Sequence, residues 1–468
     1  GIAGDELMER AGRSAFDQLQ RRWPEAHRVA VLTGTGNNGG DGFVVARLAR
    51  AAGLEVCVLQ LGDRVRLRGD ALLNAERWVE AGGIWQPFDG IPANTDVIVD
   101  AMLGTGLQRD VGGNWAGAID AVNASGRPCL AIDIPSGLNA DTGVVMGHAV
   151  RAAATVSFIG LKLGLFTADG PDCAGDVVFD GLGVPAQVYA SSVLSARRLD
   201  WSKQSTHLAP RRRNSHKGHF GHVLVIGGNH GLGGAARLAA EAALRVGGGL
   251  VSLATRAQHV AAVLAARPEI MVRAVDGVDS LQPLLRQASV IAIGPGLGRD
   301  RWADELWRAA LAARRPLVVD ADALHLLAAE PLRRDDWILT PHPGEAAALL
   351  GVGHADINTD RIGAGRGLQQ RFGGSVVLKG AGSIVCSAEP SPPAVCSAGN
   401  PGMASGGMGD VLTGVIAGLL AQGLDIRHAG ECGVCLHAAA GDAAAAAGER
   451  GLLAGDLIAQ LRGLANPR

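Results

Sequence analysis

Aromatic residues make up only 4% of this 468-residue chain, and lysine occurs only at Lys162, Lys203, Lys217 and Lys379. With so few large rings the interior must come from aliphatic side chains and close backbone approach. The 68 glycines suit an α/β protein with many tight strand–helix turns. A charge imbalance is also missing. The 43 basic and 45 acidic residues leave a formal net charge of −2, which argues against a general nucleic-acid or anionic-membrane partner. No uninterrupted apolar run reaches membrane-spanning length, and the start does not read as a secretory signal. The seven cysteines are odd in number, scattered and set in apolar segments, the usage of a reduced, cytoplasmic protein. Cys432 and Cys435 form a C-x-x-C on a helical pattern, but no second pair lies near, so core packing is expected there rather than a metal or redox centre. The chain opens on Gly1 rather than methionine, and native residues preceding it are expected.

At this length two or three domains are expected. Short apolar runs alternate with Ala/Leu/Arg-rich helical stretches almost throughout. In the first half the strand-like runs are "RVAVLTG", "LEVCVLQLG", "DVIVDAMLG", "PCLAIDIPSG" and "ATVSFIG". Apolar strands separated by helices predict a parallel sheet covered on both faces. The pattern lapses at about residues 186–216, where serines, basic residues and Pro210 replace any sustained period, so a linker and lead-in to a second domain are expected. Its basic run, Arg211 to Arg213, reads as a solvated face, with a phosphate contact as the alternative. Alternation then restarts with "GHVLVIGGNHG", "LVSLATR", "VIAIGPGLG", "PLVVDADAL", "WILTPHPGE" and "SVVLKGAGSIV".

"TGTGNNGGDG", Thr33 to Gly42, carries G-x-G-x-x-G through Gly34, Gly36 and Gly39, the pattern of a dinucleotide-binding loop. An ordinary loop of this kind wants an acid at the end of the second strand for the ribose, and "VLQLGD" offers only the displaced Asp63. The dehydrogenase reading is weak for that reason. Strand ends in a parallel sheet nevertheless collect ligand groups, here Asn37, Asn38 and Asp41, then Asp100, then Asp133 and Ser136. Each acid alone could be a turn cap. Together, Asn38, Asp100 and Ser136 offer hard oxygen donors with one formal negative charge, which favours a monovalent over a divalent cation.

These residues carry a resemblance. "LMERAG", "GTGNNGGDG", "VDAMLGTGL" and "AIDIPSGLNADTG" together are similar to the NAD(P)H-hydrate epimerase domain. The likeness implies a Rossmann-like three-layer domain, assigned to residues 1–198. It implies that Asn37, Asn38, Gly39, Gly40 and Asp41, with the loop Gly104, Thr105, Gly106, Leu107, Gln108, Arg109 and Asp110, hold the hydrated dinucleotide. It further implies a potassium ion at Asn38, Asp100 and Ser136, and Asp133 as the catalytic group at the reacting ring.

In the second half, "NPGMASGGMGDVLTGVIAGLL" feeds a glycine-rich turn into a long apolar helix, whose N-terminal amides suit an anion. Asp410 at that start reads either as an acid favoured by the helix dipole or as the acceptor of a hydroxyl proton in phosphoryl transfer. "LKGAGS" suits the phosphates of an adenine nucleotide, and His342 in "TPHPGE" is read as structural or substrate-contacting with equal weight. With "NSHKGHFGHVLVIGG" and "GPGLG", these motifs resemble the ADP-dependent NAD(P)H-hydrate dehydratases of ribokinase-like α/β fold, assigned to residues 206–468. The resemblance implies hydrate contacts at Ala235, Gly298, His342 and Asp410. It implies nucleotide contacts at Lys379, Gly380, Ala381, Gly382, Ser383 and Gly409. Met408 and Ser405 depart from the small hydroxyl residue and the threonine expected there.

The expected protein is thus a homo-oligomeric, two-domain repair enzyme acting on the hydrates of NADH and NADPH (NADHX and NADPHX). ADP is the expected co-substrate, with potassium in the first domain and magnesium in the second. The alternative is a ribokinase-type small-molecule kinase with a dinucleotide-sensing first domain.

Overall fold

β1 (Arg28–Thr33) buries every residue after its first, and its side chains alternate between two apolar layers. Val29 and Val31 join one cluster with Phe16, Phe43 and Trp78, while Ala30 and Leu32 join another with Ile119 and Val122. A strand covered on both faces needs helices above and below, so the sheet is the middle of three layers. The computed structural model describes residues 1–388 and 390–466 and separates into two units, Gly1–Val193 and Leu194–Arg468.

In the first unit β1 is joined by β2 (Glu55–Gln60), β3 (Trp85–Pro87), β4 (Val97–Ala101), β5 (Cys129–Ile132), β6 (Ala154–Phe158) and β7 (Asp176–Asp180). All pairings are parallel, in the order β3-β2-β1-β4-β5-β6-β7. The order reverses between β2 and β4 around β1, which opens a crevice at the carboxyl end of β1. Into it runs the glycine loop and the helix Asn37–Ala51. Gly34 is required there by contact: a Cβ would stand 1.9 Å from the Met102 carbonyl oxygen.

The second unit holds β8 (Arg197–Leu199), β9 (His222–Ile226), β10 (Leu250–Thr255), β11 (Met271–Ala274), β12 (Val290–Ile293), β13 (Leu317–Val319), β14 (Trp337–Leu339), β15 (Ser375–Leu378), β16 (Ser383–Cys386) and β17 (Ala394–Cys396). Their order is β11-β10-β9-β12-β13-β14-β15-β16-β17-β8, parallel except where β16 pairs antiparallel with β15 and β17. "SVVLKGAGSIV" is therefore two strands joined by a turn. The helix Met408–Ala421 lies against the helix Gly233–Arg245, backbone to backbone at Gly414, where a Cβ would stand 2.0 Å from the Ala239 carbonyl oxygen. Cys432 and Cys435 are buried in the apolar core of the helix Ile426–Ala444, as expected.

Residues 194–205, read from sequence as the end of the first domain and a linker, fall in the second unit. β8 pairs in parallel with β17, and Arg197 Nη2 reaches the buried Glu431 Oε1 at 2.5 Å. Three residues with two arginines give no strand signal, which is why the edge escaped the pattern. Among the described residues no helix is long and apolar enough to cross a membrane.

Candidate functional sites

At the carboxyl ends of β1, β4 and β5 the first unit gathers Asn38, Asp100 and Ser136. Asp100 is fully buried, and its Oδ2 accepts from Ser136 N at 2.7 Å. Its Oδ1 accepts from Ser136 Oγ at 2.5 Å and from Met102 N at 3.2 Å. Burial pushes the Asp100 carboxyl up to about 6, against the pull of these hydrogen bonds. Leu103 ties the third member in: its N–H donates to Ser136 Oγ at 2.8 Å, and its carbonyl accepts from Asn38 Nδ2 at 3.1 Å. Asn38 Oδ1 is buried and meets no hydrogen-bond donor among the described residues. A buried acceptor without a donor and a buried carboxylate are oxygen groups that could hold a cation.

Beside it stands Asp133, whose φ of 66° is uncommon for a residue with a Cβ, although Asp tolerates it. Its Oδ1 accepts from Phe158 N at 3.0 Å and from Lys162 Nζ, while Lys162 also donates to the Phe158 carbonyl at 2.9 Å. Asp41 is held well above the usual carboxylate range by burial first and by Asp133 second, with Lys162 opposing both. Two acids and one lysine thus share this end of the sheet. Asn37 and the loop from Thr105 to Asp110 are largely exposed, and Gly104 packs over Asn38, where a Cβ would stand 3.4 Å from the Asn38 Cβ. The helix Asn37–Ala51 begins with no side-chain cap, leaving its first amides available to a ligand.

The second site lies past the ends of β12 to β15. Lys379 follows β15 directly, and its Nζ is 2.6 Å from Oδ1 of the buried Asp320 and 3.8 Å from Glu345 Oε2. Thr413 Oγ1 donates to the other Asp320 oxygen at 2.7 Å. Burial alone would lower Lys379, but Asp320, Glu345 and Asp410 outweigh it and hold the ammonium charged. A Cβ on Gly409 would stand 3.4 Å from Lys379 Nζ, so the helix start and the lysine meet. Gly407, at φ 92°, turns the chain into that helix, and Asp410 is its third residue. Burial and then the charge of Asp320 push Asp410 up to about 7, with Lys379 pulling it down.

Around this centre, Gly298 N donates to Asp322 Oδ2 at 2.8 Å, and Ala235 faces the same loop, 3.4 Å from where a Gly296 Cβ would sit. His342 caps the helix Pro343–Leu350: its Nδ1 accepts from Gly344 N at 3.0 Å and Glu345 N at 3.3 Å. Its Nε2 is 3.4 Å from Glu345 Oε1. The turn Lys379 to Ser383 is propped by buried Arg361, which donates to the Lys379 carbonyl at 3.2 Å and is lowered to about 10 by burial. Met408 is buried among apolar neighbours, and its carbonyl accepts from His437 Nε2 at 2.9 Å; burial lowers that histidine to about 4 and keeps it neutral. Ser405 Oγ donates to the Leu452 carbonyl at 3.0 Å.

Sequence reasoning missed Lys162, Asp320, Glu345 and Thr413. Lysine scarcity was a signal for Lys162, and Glu345 stands inside "TPHPGE", but Asp320 looked like any acid at a strand–helix turn.

A family model described as "YjeF-related protein N-terminus" matches residues 4–164, and one described as "NAD(P)H-hydrate dehydratase" matches residues 223–462. The "Bifunctional NAD(P)H-hydrate repair enzyme Nnr" of Coxiella burnetii is 48% identical, covering 100% of this chain and 96% of that protein. The protein of the same name from Escherichia coli is 45% identical over 100% of this chain and 90% of its own length. Among solved structures, an ADP/ATP-dependent NAD(P)H-hydrate dehydratase from Bacillus subtilis, co-crystallized with ATP/Mg2+, superposes with a TM-score of 0.53 at 28% identity, over 58% of this chain and 98% of that one.

Proposed function

The chain belongs to the family of bifunctional NAD(P)H-hydrate repair enzymes, and from that premise we propose how its two sites divide the work. The first unit interconverts the R and S hydrates, and the second dehydrates the S hydrate to NAD(P)H at the expense of ADP, giving AMP and phosphate. In the second site Asp410 takes the proton of the hydrate's hydroxyl as its oxygen attacks the β-phosphorus of ADP and the bond to AMP breaks. Loss of the new phosphate from carbon, with a proton from the neighbouring carbon, restores the double bond. The helix amides at Gly409 and the Lys379 ammonium stabilise the transferred group. Asp410 supports this best, because a base held at about 7 is poised to accept a proton at neutral pH.

Asn38, Gly39, Gly40, Asp41 and the loop Gly104 to Asp110 hold the dinucleotide in the first site, and Asp133 with Lys162 faces the reacting ring. Potassium would fit Asn38, Asp100 and Ser136, since among the described residues Asn38 Oδ1 has no hydrogen-bond partner and no cationic side chain pairs with the buried Asp100. A bound cation would supply positive charge to offset Asp100, with Asn38 on the helix Asn37–Ala51 and Ser136 after β5 as its other holders. Among the described residues no three His, Cys, Asp or Glu side chains gather as a metal site, so a magnesium ion would enter this site with the ADP phosphates. Seven free thiols, six of them buried, suit a reducing cytoplasmic setting.

The test is product analysis. Adding the chain and ADP to a hydrate mixture should restore the absorbance of the reduced nicotinamide and release free phosphate. Accumulation of a stable phosphoester would instead make the second unit an ordinary kinase.

A further inference from the structure

A cavity of about 1180 Å3 opens at the opposite end of the second sheet from Asp410. Its wall includes Phe220, Gly247 and Glu269, which lie two or three residues ahead of β9, β10 and β11, whereas Asp320 and Lys379 follow β13 and β15. The parallel strands thus separate it from the candidate dehydratase site by the height of the sheet.

Three exposed arginines reach this cavity from three segments: Arg212 from the basic run, Arg245 from the end of the helix Gly233–Arg245, and Arg462 from the helix Ala454–Leu464. None of the three guanidinium groups has a hydrogen-bond or ion-pair partner among the described residues. Of the two lining carboxylates, Glu241 is buried and already engaged by Arg267 Nε at 2.5 Å, which leaves Glu269 alone against them. Like charges gathered on one concavity repel until an anion comes between them. The floor is different. Arg211 stacks on the Phe220 ring at 3.6 Å and donates to Gln422 Oε1 at 2.8 Å, so its charge is spent on structure, and Leu208, Pro210 and Leu424 add apolar surface.

We propose that this cavity binds a phosphorylated small molecule of nucleotide size, with its phosphates between Arg212, Arg245 and Arg462 and its body against the Phe220 wall. Guanidinium groups pair with phosphate through forked, charge-assisted hydrogen bonds, and the volume exceeds what a nucleotide needs. The site is independent of the dehydratase reading, since it uses none of those residues.

Titration calorimetry of the full chain with inorganic pyrophosphate at fixed ionic strength tests it. A saturable site should persist in Lys379→Ala. It should weaken by about a hundredfold in the double variant Arg245→Ser with Arg462→Ser, at roughly tenfold for each lost charge-assisted contact. Both arginines are exposed, so the core is untouched and ADP-dependent dehydration should be unchanged. Binding lost in Lys379→Ala and kept in the double variant would overturn the proposal, as would no saturable binding at all. A change of assembly size in the double variant with pyrophosphate affinity intact would also overturn it, by making the face a contact between copies of the chain.

Discussion

Lys379 and Asp320 form the central pair of the second unit, Nζ to Oδ1 at 2.6 Å, although 59 residues separate them in the chain. The lysine cannot swing away without stranding a buried carboxylate, so its ammonium is a fixed charge at the helix start that carries Asp410. Burial and then the charge of Asp320 raise the Asp410 carboxyl, this fixed cation pulls it back, and the balance falls at about 7.

Asp410→Asn keeps size and hydrogen bonding but removes the proton acceptor. Dehydration should slow by roughly 10²–10⁴, with ADP affinity little changed. The native enzyme should lose rate as pH falls below about 7, where Asp410 takes up a proton. Lys379→Met removes the charge that lowers Asp410, so that limb should move to higher pH. A pH–rate profile for the three proteins checks both, and a near-normal rate in the Asn variant would falsify the role.

Asp100 is raised to about 6 in the folded chain, above the 3.8 of an ordinary aspartate. Without a cation it therefore reduces stability as pH rises from about 4 through 6, because the folded state holds its proton more tightly. Potassium should offset that loss. The rise in first-domain melting temperature, potassium against a bulky organic cation at equal ionic strength, should be larger at pH 8 than at pH 5. Asp100→Ala should abolish the difference and impair epimerisation. Equal melting in both salts at pH 8 would reduce Asp100 to a turn cap.

Lys162 links Asp133 to the carbonyl of Phe158 and lowers the proton affinity of Asp41. Lys162→Met should cut epimerisation by about tenfold to a hundredfold, the range for one lost charge-assisted contact. Its pH profile should shift upward as Asp41 holds its proton more tightly. Lys162→Arg should recover part of the rate. A Met variant that changed only the melting temperature, with the pH profile in place, would mark Lys162 as structural.

A fragment beginning at Leu194 should be more stable than one beginning near residue 206. The shorter one loses β8 and leaves Glu431, 4% exposed, without Arg197. Stranding a buried carboxylate costs on the order of 3 kcal/mol. Urea midpoints compare the two directly, and equal midpoints would count β8 as dispensable.

What the sequence made legible were strands built on apolar runs and glycine loops with fixed spacing. β1, β4 and β9 stand where their apolar runs predicted, and the loop at Gly34 is tight for a steric reason. β3, β8 and β17 have three residues each and lie at or near sheet edges, and β3 and β8 are broken further by Gln86, Arg197 and Arg198. The ion pairs were hidden for another reason. Lys162 and Asp133 are 29 residues apart, and no local pattern announces a partner that only strand order brings close.

The backbone contact at Gly414 has a bearing on which molecules the second site can come to accept. Ala235 belongs to one helix of that contact and Asp410 to the other. Because no side chain lies between the helices where they touch, neither wall can retreat by trading a large residue for a small one. A change in the width of that site is therefore expected from the strand-end loops around Gly298 and His342, while the spacing between Asp410 and Ala235 stays fixed.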